Sequence, residues 1–132
     1  MESERTTADG LLPVLPPGTH LPYVVLHHTG IAEPHFDLMV DVPGRAKLVT
    51  WRIKTPPAEW SRAATFVPER IQDHRRVYLT FEGPLSENRG TVARVAAGTA
   101  IVSAQTRAAL EMRLEGAIQA FVRLPVQSTM AQ

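Results

Sequence analysis

Four of the five histidines in this chain, together with one aspartate and one tyrosine, are the side chains best placed to do chemistry: His27, His28, His35, Asp37, His74 and Tyr78. His35 and Asp37 stand at i and i+2. On a strand both side chains leave the same face, about 7 Å apart along the chain, so an imidazole and a carboxylate can share one ion. His28 ends the preceding apolar run, and the loop Thr29 to Pro34 can fold it back beside His35, with His27 as the alternative ligand. Two imidazoles and one carboxylate suit Mn²⁺, Fe²⁺ or Zn²⁺ and leave positions open to water or substrate. The plainer alternative is a solvated polar face on a half-exposed strand.

A second constellation lies downstream. If His74 starts a strand, His74, Arg76 and Tyr78 share a face, and an imidazole, a guanidinium and a phenol facing one way form a cradle for a phosphate. The alternative is that Tyr78 caps a core edge and Arg76 is solvated. Arg89, in the polar loop Ser86 to Gly90, is a candidate contact to a nucleic-acid backbone. Lys54, Arg62, Arg70, Arg75 and Arg76 are candidates for lining a groove. Fourteen basic against thirteen acidic residues leave a net charge of +1, which excludes a charge-driven nucleic-acid coat and makes any such binding local and salt-sensitive. The absence of cysteine excludes disulfides, thiol nucleophiles and Fe–S clusters. Neither a phosphate-cradling glycine loop nor a serine nucleophile elbow occurs.

The elements that must position these residues follow period two. Tyr23 to Leu26 is a short β-branched and aromatic run. From His35 to Val42, Phe36, Leu38, Val40 and Val42 alternate with His35, Asp37, Met39 and Asp41. Pro43-Gly44-Arg45 makes a turn, and Leu48 to Lys54 alternates again. Closing that hairpin over Pro43 to Ala46 sets Asp37 opposite Arg52 and Met39 opposite Thr50. Val77, Leu79 and Phe81 predict a fourth strand. Thr91 to Ala96 and Thr99 to Ala104 read as a pair pivoting near Gly98, and Thr55 to Gln72 as irregular. Thr106 to Glu115 has helix-favouring composition, yet Leu110, Met112 and Leu114 alternate with charged residues, so a β-hairpin with Ile118 to Leu124 is expected over a helix. The fold expected is all-β, a small closed or partly open antiparallel β-barrel.

Residues 1–22 read as an extended or disordered leader, in which Leu11, Leu12, Val14 and Leu15 can dock as an extended strip on the domain, 23–125 as the barrel domain, and 126–132 as a frayed tail. No apolar run reaches the ~20 residues of a membrane-spanning helix, and no secretion signal is evident, so a cytoplasmic protein is expected.

The segment Tyr23-Val24-Val25-Leu26-His27-His28, then His35-Phe36-Asp37-Leu38-Met39, resembles the opening of the 3′-phosphoesterase domain of bacterial ATP-dependent DNA ligase D. The likeness continues through Trp51, Asp73-His74, Tyr78, Phe81-Glu82-Gly83, Gly90 and Gly98, from about Tyr23 to Leu124. It implies a Mn²⁺-dependent site that trims the 3′ ends of DNA or RNA–DNA strands, removing a terminal ribonucleoside and then the 3′-phosphate. Carried over, His28, His35 and Asp37 are metal ligands, while His74 and Tyr78 contact the phosphate. Zn²⁺ or another divalent cation is the alternative to Mn²⁺. The resemblance also implies separate repair ligase or polymerase proteins as partners, because the 132 residues hold neither module.

Two departures bear on chemistry. The family's phosphate-facing arginine, two residues beyond the aspartate, is Met39 here, and the loop between the two metal histidines is one residue longer. Arg52, opposite Asp37, is expected to swing into the space at Met39 as a catalytic substitute, with Arg76, Lys54 and Arg89 binding substrate. The readings are therefore a phosphoesterase-like protein, a non-catalytic module binding 3′ ends or phosphate, and, from His35-x-Asp37 with His74, a two-histidine, one-carboxylate Fe²⁺ oxygenase.

Overall fold

The structure, a computed structural model, describes residues 12–61 and 66–128. It is all-β. The strands are β1 (His20–Thr29), β2 (His35–Val40), β3 (Leu48–Ile53), β4 (Glu69–His74), β5 (Gly83–Pro84), β6 (Thr91–Gln105), β7 (Ala109–Gly116) and β8 (Ala120–Pro125). They form one antiparallel sheet in the order β4-β3-β2-β1-β6-β7-β8, with β5 added to β6. The sheet curls until its two edges meet. Arg70 of β4 bridges to Ser128 in parallel, and its guanidinium donates to the Val126 carbonyl at 2.7 Å. No helix of the described residues is long and apolar enough to cross a membrane.

Alternation along the strands builds two apolar clusters, one on each face. Leu21, Tyr23 and Val25 of β1 enter the larger, with Leu38, Val40, Trp51, Leu110, Met112 and Val122. Val24 and Leu26 enter the smaller, with Met39, Leu48 and Val92, and Tyr78, Leu79, Phe81 and Leu85 pack over it. His28 and Asp37 share the smaller cluster's face by the period of two. The β2–β3 register is the expected one, with Asp37 opposite Arg52 and Met39 opposite Thr50. The hairpin expected near the C-terminus is also present, pairing Met112 with Val122, and it excludes the helix.

Three expectations are corrected. Val77 to Glu82 is not a strand: Arg76–Leu79 is a 3₁₀ turn, closed by Thr80 and Phe81 amides donating to the Val77 carbonyl. The strand beside β3 is Glu69–His74, inside the stretch expected to be irregular. Its only apolar residue is Ile71, and Arg70 is as buried as any core side chain, so burial there does not follow residue type. Nor do Thr91 to Ala96 and Thr99 to Ala104 pivot at Gly98; they are one strand, paired with β1 and β7. A Cβ at Gly98 would lie 2.0 Å from the Glu115 carbonyl oxygen, so this glycine serves close approach of β7 rather than a turn.

The chain ends are tied to the sheet at Leu15, one of the residues expected to dock, and at two places where no structure was expected, His20 to Pro22 and Val126. β1 starts at His20, three residues inside the expected leader. Leu15 is buried, its amide donating to the Gln105 side chain, which in turn donates to the Pro13 carbonyl. Val126 is buried in the main core. The rest of the expected leader, residues 1–11, and of the tail, 129–132, lie outside the described residues.

Candidate metal centre

The last pair of the β1–β2 ladder sets His28 directly opposite His35, and Asp37 stands on the same face two residues on. One ligand atom from each of His28, His35 and Asp37 lies within 4.8 Å of the others. The two imidazoles meet edge to face, with ring centres 5.0 Å apart. His27 points to the other face and stacks flat on Phe36, 4.3 Å between ring centres, which removes it as the alternative ligand.

Backbone carbonyls set the tautomers. His28 Nε2 donates to the Arg89 carbonyl at 2.7 Å, and His35 Nδ1 donates to the Glu33 carbonyl at 2.9 Å. Each ring therefore keeps one lone pair: Nδ1 on His28 and Nε2 on His35. Metal-bound histidines are held by such second contacts. His35 Nε2 and the Asp37 Oδ1 atom, 3.4 Å apart, are both buried and have no hydrogen-bond partner. Two buried acceptors facing each other call for a cation or a proton between them, so the residues present fit a divalent ion. Burial pushes the His35 imidazolium down, but the Asp37 carboxylate outweighs it and raises the pKa above 6.5.

The support for His28 depends on one glycine. Gly90 has φ +89°, and a Cβ there would fall 2.2 Å from the Thr29 carbonyl oxygen and 3.1 Å from His28 Nε2. Without a side chain, the loop before β6 comes close enough for the Arg89 carbonyl to reach the ring. Glu87 and Asn88, both with positive φ, turn that loop.

A cavity of about 450 Å³ opens over this centre and brings in the second constellation. His28, Asp37, His74 and Tyr78 all line it, with Met39 on the same wall. His74 is held by Nδ1 donation to the Gln72 carbonyl at 2.9 Å, and its ring meets Tyr78 edge-on at 5.9 Å. These two groups reach the cavity from the end of β4 and from the 3₁₀ turn, not from one strand.

The cations expected at the substrate are mostly elsewhere. Arg76 makes two 2.7 Å contacts to Asp41, whose carboxyl it holds below the usual range. Lys54 faces Glu33 on the exposed surface at 3.4 Å. Arg52 shares the Asp37 face, but its Nε is buried and it does not line the cavity. Arg89 does line the cavity: its backbone carbonyl holds His28, while its guanidinium folds onto Ser86. Arg70 is fully buried, and Arg62 lies outside the described residues. Among the described members of the five-cation groove, Lys54 and Arg76 are taken up by ion pairs and Arg70 by burial, so only Arg75 reaches the cavity. Nor does His74 belong to the His28, His35 and Asp37 group, so the particular set of His35, Asp37 and His74 is not assembled.

Lys47 and Asp73 line the cavity without having been singled out for the site, and Arg75 lines it without its expected neighbours. Asp73 is gripped by Arg45 and by Arg70, which anchors the end of β4 that carries His74. Only the Asp73-His74 pair was visible in advance; Lys47 follows a turn and carries no pattern of its own.

Comparison with protein-family models finds no match, and no curated protein matches the chain.

Proposed function

We propose that this protein is a metal-dependent, phosphoesterase-like protein acting on 3′ ends of nucleic acid, with Mn²⁺ at His28, His35 and Asp37. The observation that carries the metal is the pair of buried, unpartnered atoms of His35 and Asp37, with His28 oriented beside them. The nucleic-acid substrate rests on the ligase D resemblance. Its support on this chain is the entry of His74 and Tyr78 into the same cavity, whose volume of about 450 Å³ suits a nucleotide-sized group.

When bound, the metal supplies Lewis-acid polarisation of a phosphoryl oxygen. The chain's own groups do the rest. His74, with Nδ1–H engaged by Gln72, presents Nε2 to the cavity as an acceptor when neutral and a donor when protonated, which suits it to hydrogen-bond a phosphoryl oxygen or protonate a leaving oxygen. The Tyr78 hydroxyl adds a second donor. Leu26, Val92 and Leu85 make the adjoining wall apolar, which strengthens each of these polar contacts.

The alternative reading is a module that grips a terminal phosphate without cleaving it, and Met39 favours it, since a thioether cannot neutralise charge developing on a phosphoryl oxygen. The test is purified protein with Mn²⁺ and a primer–template bearing a 3′-phosphate. Release of phosphate that is lost in His35→Ala supports the esterase. Binding without release selects the module, and no Mn²⁺ binding at all removes both. Separate repair ligases or polymerases are the proposed users of the trimmed ends.

A further inference from the structure

We infer that Lys47 and Arg75 form a two-cation clamp for a terminal phosphate monoester in the cavity beside the metal centre. The inference rests on the phosphoesterase-like reading and names the groups that take over the charge missing at Met39. Five observations carry it. The β3–β4 ladder ends at Leu48 opposite His74, so Lys47 and Arg75 are the next residues on the two facing chains. Arg75 keeps an extended backbone (φ −65°, ψ 147°) and so continues past that pair.

Both side chains line the same cavity as His28, Asp37 and His74. Among the described residues neither has a carboxylate partner, whereas Asp73 beside them is already held by Arg45 and Arg70. Two cations lining one cavity repel each other, and a doubly charged anion between them reverses the sign. The Arg75 guanidinium also lies 5.9 Å from the Tyr78 ring centre, a cation–π contact that limits its wandering. A planar fork and a compact ammonium suit the oxygens of a monoester dianion better than the single charge of an internal diester.

The experiment is calorimetric titration of inorganic phosphate into the Mn²⁺-loaded protein, comparing wild type with Lys47→Gln, Arg75→Gln and the double variant. Both side chains are exposed, so the variants keep the fold. Phosphate affinity is expected to fall about tenfold in each single variant and further in the double, with a shallower salt dependence. Mn²⁺ affinity is expected to stay unchanged, and Lys47→Arg to retain most of the phosphate affinity. Variants that bind phosphate as wild type does, or a loaded wild type that binds none, overturn the clamp. Phosphate binding that depends on the two cations, without 3′-phosphate release, keeps the clamp and removes the esterase. Release with unaltered variants does the opposite.

Discussion

At the scale of single residues, the site depends on side chains whose spare atoms are left over once the backbone has taken its share. Glu33 and Arg89 contribute only carbonyl oxygens, yet those oxygens decide which nitrogen of His35 and His28 faces the centre. The i, i+2 spacing of His35 and Asp37 was legible in advance, because a strand has no other way to place them. The choice of His28 over His27 was not, since it turns on which face of β1 meets the small apolar cluster. One residue-scale consequence concerns pH. The hydrogen bond from Arg76 lowers the Asp41 pKa below 3.8 in the folded state, so this pair stabilises the fold above that value and loses its effect as the carboxyl protonates. Denaturant unfolding of wild type and Arg76→Ala should therefore differ at pH 6 and converge by about pH 2. A gap that is independent of pH would contradict this assignment.

At the scale of elements, β2 and β3 could be read from alternation and a tight turn, down to the pairing of Asp37 with Arg52. β4 could not. It is polar in sequence and becomes a strand because β3 offers it a ladder and Arg70 finds partners inside. The Val77, Leu79, Phe81 alternation pointed to a strand, but Tyr78, Leu79 and Phe81 reach the small cluster from a turn, leaving Val77 exposed. The loop into β6 has a structural requirement of its own at Gly90. Gly90→Ala forces a side chain into φ +89° and against β1, at a cost of roughly 1–3 kcal/mol. Because the same movement pulls the Arg89 carbonyl from His28, Mn²⁺ affinity should fall about 10- to 100-fold. Thermal melts and metal titration of the variant check both effects. A melting change with intact Mn²⁺ affinity would show that the loop does not orient the ligand.

At the scale of the whole molecule, one sheet curls until β4 approaches the segment after β8, and a buried arginine joins the seam. Arg70 donates to the Val126 carbonyl, contacts Asp73, and receives the Ser128 hydroxyl on its own carbonyl. Arg70→Ala strands a buried acceptor and loosens both the seam and the end of β4 that carries His74. Such losses cost on the order of 3 kcal/mol, visible as a lower urea midpoint. Arg70→Met, which keeps much of the volume, should recover part of the loss but not the anchoring of Asp73.

The chain by itself determined the all-β class, the hairpin register and the pairing of His35 with Asp37 on one face, because those follow from a period of two and from residue chemistry. Tertiary structure alone decided which cations reach the cavity. Arg76, Lys54 and Arg52 were drawn away by ion pairs or burial, whereas Lys47 and Arg75, just beyond the last pair of a strand ladder, line the cavity with Arg89. That outcome is set by contacts between residues distant in sequence, and no local pattern encodes it.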